Sequence, residues 1–112
     1  MTKTERNHLE RIAAMGCIVC HRQGHYNAPA EVHHIRAGQG MGQRASHFLA
    51  IPLCPEHHRT GGHGTAIHAG LKSWEMAHGS ELELLAETYR LLSEVIDERG
   101  TPGIAAAVRR KV

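Results

Sequence analysis

Two short ligand pairs, Cys17-x-x-Cys20 and Cys54-x-x-His57, stand 33 residues apart, and any fold of this chain has to account for them. Zn²⁺ takes thiolate and imidazole interchangeably into a tetrahedral shell, so these four side chains have the types and spacing of a structural Cys₃His site. Closing such a shell clips the intervening segment into a loop. The pair His33-His34 sits inside that loop, and His58 follows directly after the second half-site. A four-ligand zinc shell has no use for these further imidazoles, so they need a separate explanation.

The histidine count sharpens the point: of eleven in 112 residues, nine fall between His21 and His68. Such a concentration signals metal binding or proton transfer. A chain of this length makes one domain with a modest core. Only 4% of it is aromatic, so the core must rest on Leu, Ile, Val and Ala. A metal staple then matters to folding as well as to geometry. Three cysteines are an odd number for a disulfide scaffold. Met1-Thr2-Lys3-Thr4-Glu5-Arg6 has no apolar run behind its charges, as a secretory signal would, and no stretch approaches the roughly 20 apolar residues of a membrane span. The expectation is a cytoplasmic protein with reduced, metal-bound cysteines and no membrane association. A net charge of +2 is compatible with nucleic acid without requiring it.

Local patterns place these residues on elements. Thr2-x-x-Glu5 is a capping box, Leu9, Ile12 and Ala13 share one face, and Gly16 can close the turn, which predicts a helix over 2–15. Glu31-Val32-His33-His34-Ile35 reads as a strand and Leu49-Ala50-Ile51-Pro52-Leu53 as its return, with Pro52 restricting the latter to an edge or a strand end. A glycine-rich connection, Ala37 to Gln43, lies between them, flanked by Arg36 and Arg44. Pro55 suits the first turn of a helix carrying His57 and His58. The result is strand, loop, strand, helix with metal ligands at the seams. A helix is expected around Leu71–His78, with Leu71 and Trp74 inward, and another from Ser80-x-x-Glu83 to near Gly100. On the last, Leu85, Tyr89, Leu92 and Ile96 make one apolar stripe and Leu84, Leu91 and Val95 a second. So wide a face serves the core and the first helix, or else a homodimer through this C-terminal helix. Arg109-Arg110-Lys111 is a small basic tail.

Neighbouring side chains on a strand point to opposite faces, so His33 and His34 cannot share one task. The division that fits is one imidazole on a metal and the other facing a substrate as general base. His58, about 100° around a helical turn from His57, points away from the zinc site and can reach the second metal. His63 and His68 are candidate further ligands, or turn-capping or phosphate-binding residues. His8, His21, His25 and His78 have no such context and are expected on the surface.

These pieces resemble the HNH (ββα-metal) endonucleases, in which a Cys-x-x-Cys knuckle precedes an Asp/His-His-Ile strand and a second strand leads to Cys-x-x-Cys/His followed at once by His or Asn. Cys17-x-x-Cys20, His33-His34-Ile35 and Leu53-Cys54-Pro55-Glu56-His57-His58-Arg59 carry the likeness. It implies His34 as general base and His33 and His58 as ligands of a catalytic metal. The family position that braces the base, usually Asn, falls near Ser46-His47, where His47 takes the place. Gly16-Cys17-Ile18-Val19-Cys20, Val32-His33-His34-Ile35-Arg36, Gly40-Met41-Gly42-Gln43-Arg44, Ile51-Pro52-Leu53-Cys54 and Ile67-His68-Ala69-Gly70 extend the likeness to the phage recombination-enhancement (Ref) nucleases, over roughly residues 2 to 96. That family implies DNA as substrate and a RecA filament as partner.

The fold class expected is therefore α+β: a small zinc-stapled ββα-metal core over residues 1–100 with flanking N- and C-terminal helices, then a basic tail over 101–112. The activity expected is metal-dependent hydrolysis of DNA phosphodiesters, with zinc on Cys17, Cys20, Cys54 and His57. A catalytic divalent ion (Mg²⁺, Mn²⁺, Zn²⁺ or Ni²⁺) would sit on His33 and His58, joined by His63 or His68, and imidazole ligands favour the later metals of that set over Mg²⁺. Arg36, Arg44 and Arg59 are candidate phosphate contacts. The competing class is a non-catalytic zinc module that binds nucleic acid or protein. It would keep the Cys₃His set but has no need for His33, His34 and His58 together.

Overall fold

The computed structural model describes residues 1–40, 42–43 and 45–94. Arg44, the Val95 and Ile96 positions of the last apolar stripes, and the basic tail over 101–112 lie outside the described residues. The first helix, α1 (Lys3–Met15), starts where the capping box predicts. Glu5 N–H donates to Thr2 Oγ1 at 3.1 Å and Thr2 N–H donates to Glu5 Oε1 at 2.7 Å, so two donors of the helix start find partners within the motif. Gly16 ends the helix at a φ of +86°, and a Cβ there would come within 3.0 Å of the Ala28 carbonyl oxygen. Both facts demand glycine. The turn delivers the chain directly to Cys17.

A short helix, α2 (Ile18–Arg22), follows with Cys17 as its N-cap. The strands β1 (Glu31–His34) and β2 (Ala50–Leu53) form an antiparallel pair in which His33 faces Ile51 and His34 faces Ala50. Both are slightly shorter than the sequence pattern suggests, although Ile35 N–H still reaches the Leu49 carbonyl at 3.0 Å. Pro52 sits inside β2 opposite Val32. The missing N–H is tolerated because each strand of a two-stranded sheet keeps one edge unpaired. After β2 the expected helix is a π-helical turn, Glu56–Thr60, closed by Gly61 N–H to the Glu56 carbonyl at 3.0 Å. A 3₁₀ turn (Ile67–Ala69) leads into α3 (Leu71–His78), and α4 spans Glu81–Glu94.

Aliphatic residues from every layer meet around Trp74, which is fully buried and whose indole N–H donates to the His57 carbonyl at 3.1 Å. Ile18, Val19, Ile35, Ile51, Leu53 and Ile67 pack in the same cluster as Leu84, Leu85 and Leu91 of α4. Leu92 packs with Ile12 of α1 and Ala50 of β2. The wide apolar face of α4 is thus largely used inside this chain, with Tyr89 and Leu82 left at the surface. One expectation fails: His8 is buried rather than exposed. It packs between Phe48 and Tyr89, with ring centres 5.0 and 5.6 Å away, because the 46–49 turn folds back onto α1. His78 is also half-buried, its ring 5.2 Å from that of His57. The architecture is a mixed helical domain around a small antiparallel hairpin. No helix among the described residues is long and apolar enough to cross a membrane.

Candidate metal centres and active site

The two halves of the first cluster are built alike. Cys17 Sγ accepts the Cys20 N–H at 3.4 Å, and Cys54 Sγ accepts the His57 N–H at 3.5 Å, so each pair curls around its leading sulfur. The hairpin and the α1–α2 turn then bring the pairs together. Sγ of Cys17, Cys20 and Cys54 stand 3.6, 3.5 and 3.2 Å from His57 Nδ1, and Cys20 Sγ is 3.8 Å from Cys54 Sγ. A regular tetrahedron with ordinary zinc bond lengths has edges of about 3.6 Å for S···N and about 3.8 Å for S···S. The four donors already have the shape of a zinc shell.

Electrostatics point the same way. Burial pushes the Cys17 thiol up, and burial together with the neighbouring sulfurs of Cys17 and Cys54 pushes Cys20 up to about 12. Cys17 and Cys20 therefore resist ionising unaided, and a divalent ion among the sulfurs reverses that balance. Burial holds His57 below the ordinary histidine value, which keeps it the neutral ligand that a metal needs. The donor set fits Zn²⁺ in type, number and spacing.

The second cluster combines three elements: His33 from β1, His58 from the π-helical turn and His68 from the 3₁₀ turn, with one ligand nitrogen from each within 4.8 Å of the others. His58 follows His57 in sequence, and the turn sends the two rings to different clusters. The Nε2 atoms of His58 and His68 are 2.9 Å apart. Two imidazole nitrogens at that distance share a proton or occupy neighbouring corners of one coordination shell. His68 is an exposed residue, but partial desolvation of its ring and the neighbouring His58 and His33 hold it below the ordinary value, again favouring a neutral ligand. Of the two further candidates, then, His68 joins the cluster. His63 lies outside it, exposed, with its ring against Gly70.

Two carboxylates behind this cluster were not apparent from the sequence. Glu81, fully buried, accepts from His33 Nε2 at 2.7 Å and from the Arg36 and Ala37 backbone N–H groups at 2.8 and 3.0 Å. Burial opposes its charge, but these hydrogen bonds win and hold the carboxyl below its ordinary value. Glu31 accepts from His58 Nδ1 at 2.8 Å and from Arg59 Nε at 3.0 Å. The Arg59 guanidinium first, and His58 second, bring it down to about 2. Glu31 was within reach of sequence reasoning, since it precedes His33 by two positions and so lies on the same strand face. Glu81 gave no such signal, being 48 residues from its partner.

His34 points elsewhere, as strand alternation requires. Its Nε2 lies 2.9 Å from His47 Nδ1, and both side chains are half-buried. His47 is held there by the turn in which Phe48 N–H donates to Ser46 Oγ at 3.1 Å. Arg59 is committed to Glu31, whereas the exposed Arg36 side chain donates to the Gln43 carbonyl at 3.3 Å.

The geometry therefore holds a zinc-shaped cluster, a three-histidine cluster backed by carboxylates, and a coupled histidine pair on the opposite strand face. The model of a family described as "recombination enhancement, RecA-dependent nuclease" matches residues 1–93, a span that includes all three, and the chain belongs to that nuclease family.

Proposed function

We propose that this nuclease is a metal-dependent DNA endonuclease of the HNH (ββα-metal) type, acting on DNA presented by a RecA filament. The observation that carries the reading is the splitting of His33 and His34. One imidazole joins His58 and His68 around a metal-sized space, and the other lies 2.9 Å from a second histidine, His47. A non-catalytic zinc module requires neither arrangement.

In this reading Cys17, Cys20, Cys54 and His57 hold a structural zinc, and His33, His58 and His68 hold the catalytic ion. Such an ion supplies charge neutralisation at the scissile phosphate and the leaving oxygen. His34 takes a proton from the attacking water, a task for which imidazole is suited near neutral pH. As His34 becomes an imidazolium, its Nε2–H donates to His47 Nδ1, so the incoming charge is spread over the pair. Arg36, beside the glycine-rich connection, contacts a backbone phosphate, and Arg44 is proposed for a neighbouring one. Arg59 instead serves to hold Glu31 against His58. The three imidazoles favour Zn²⁺ or Ni²⁺ over Mg²⁺, with Mn²⁺ tolerated. Intrinsic affinity for DNA is expected to be weak and salt-sensitive, because a net charge of +2 allows few phosphate contacts.

The test is nicking of supercoiled plasmid by zinc-loaded protein with each divalent metal, with and without RecA and single-stranded DNA. Metal-dependent nicking that RecA-paired DNA enhances supports the reading. No nicking under any of these conditions would reject it.

A further inference from the structure

Glu81 is fully buried, and its carboxylate meets the His33 ring at 2.7 Å. Its backbone partners can only donate. The Arg36 N–H reaches Oε1 at 2.8 Å and Oε2 at 3.0 Å, the Ala37 N–H reaches Oε1 at 3.0 Å, and His33 Nε2 reaches Oε2 at 2.7 Å. An ionised carboxylate satisfies all of these contacts at once, with His33 Nε2–H donating beside the backbone N–H groups. A bare negative charge in a dry core is costly unless something nearby compensates it. The imidazole that meets it belongs to the His33–His58–His68 cluster.

We propose that Glu81 is the positioning residue of the second metal centre. It fixes His33 as the tautomer protonated at Nε2, which leaves Nδ1 as the ligand atom. The same carboxylate pins the backbone where β1 runs out into the glycine-rich connection, so the metal centre and the Arg36 segment share one anchor. This rests on the reading of the three-histidine cluster as a metal site. Partners of this kind behind a metal-bound histidine contribute about 10- to 100-fold to metal affinity.

The experiment titrates Ni²⁺ into protein carrying one equivalent of zinc, reading affinity by competition with a chromophoric chelator. Four proteins are compared: wild type, Glu81→Gln, His33→Ala and the double variant. Wild type is expected to take one further equivalent. Glu81→Gln should keep its structural zinc but bind Ni²⁺ on the order of 10- to 100-fold more weakly. In the His33→Ala background the same substitution should cost little, because Glu81 acts through His33, whereas a merely structural role would cost the same in both backgrounds. Glu81→Asp, which keeps the charge, should recover part of the affinity and serves in place of Glu81→Gln if that variant does not fold. Unchanged Ni²⁺ affinity in Glu81→Gln, or equal losses in both backgrounds, overturns the proposal and leaves the metal site standing. A wild type that takes no second equivalent overturns the site and the proposal together.

Discussion

Replacing Trp74 with Phe should weaken the whole protein through the zinc centre. The indole is fully buried and its N–H donates to the backbone carbonyl of His57, itself a candidate zinc ligand. The substitution leaves that buried carbonyl without its donor, which costs about 1–3 kcal/mol. It also opens a void of roughly 40 Å³ in an aliphatic core, worth about 1 kcal/mol at the measured cost per unit of cavity volume. Together these come to about 3 kcal/mol, which for a domain of this size lowers Tm by on the order of 15 °C. Thermal unfolding of the zinc-loaded protein, followed together with zinc release to a colorimetric chelator, measures both consequences. Unfolding and release should move down in temperature together, since the lost hydrogen bond lands on a ligand's own backbone. A shift under about 4 °C, the equivalent of less than 1 kcal/mol, would show that Trp74 does not tie the core to the cluster.

Other perturbations separate the parts of the account. Cys54→Ser should remove the zinc and most of the folded state, seen as metal content and far-UV circular dichroism; a folded variant with full zinc content would refute the Cys₃His assignment. Gly61→Ala should disturb both clusters at once, because its Cβ would fall 2.5 Å from the Glu56 carbonyl oxygen and 2.6 Å from Thr65 Cγ2 in the turn that carries His57 and His58. Zinc content and Ni²⁺ affinity both falling is the expected result. His8 gives a pH signature: burial, and then Arg11, hold its folded-state pKa below the ordinary value, so the unfolded chain binds the proton more readily. Stability should therefore fall as pH drops below about 6.5, and His8→Asn should flatten that part of the urea-midpoint profile.

Much of this was readable in the residues because the signals were local or chemically narrow. The Thr2/Glu5 capping box, Gly16 at the helix end and the two Cys-led pairs each combine a short spacing with one dominant physical cause, and the structure follows them closely. The separation of His33 from His34 follows from strand geometry alone. Distant pairings were not readable. Nothing near Glu81 in sequence announces that its carboxylate closes over β1, and Ser80-x-x-Glu83 drew attention to the capping role of its neighbours instead. Glu83 N–H does donate to Ser80 Oγ at 3.1 Å, while Glu81 N–H is taken by the Glu75 carboxylate at 2.9 Å. His63 and His68 could not be ranked because the glycines at 61, 62 and 64 leave the path between them undetermined. His8 looked like a surface residue because the turn that buries it lies some forty positions later. Arg59 reads as a free cation until Glu31, on the adjoining strand, is seen to hold it.

In the proposed mechanism His34 is the base and holds neither metal. Plasmid nicking by His34→Ala, measured beside wild type at matched zinc and Ni²⁺ occupancy, tests it most directly. A loss on the order of 10²- to 10⁴-fold in rate is expected, with both metal contents unchanged. Cleavage at the wild-type rate by the metal-loaded His34→Ala protein would contradict it.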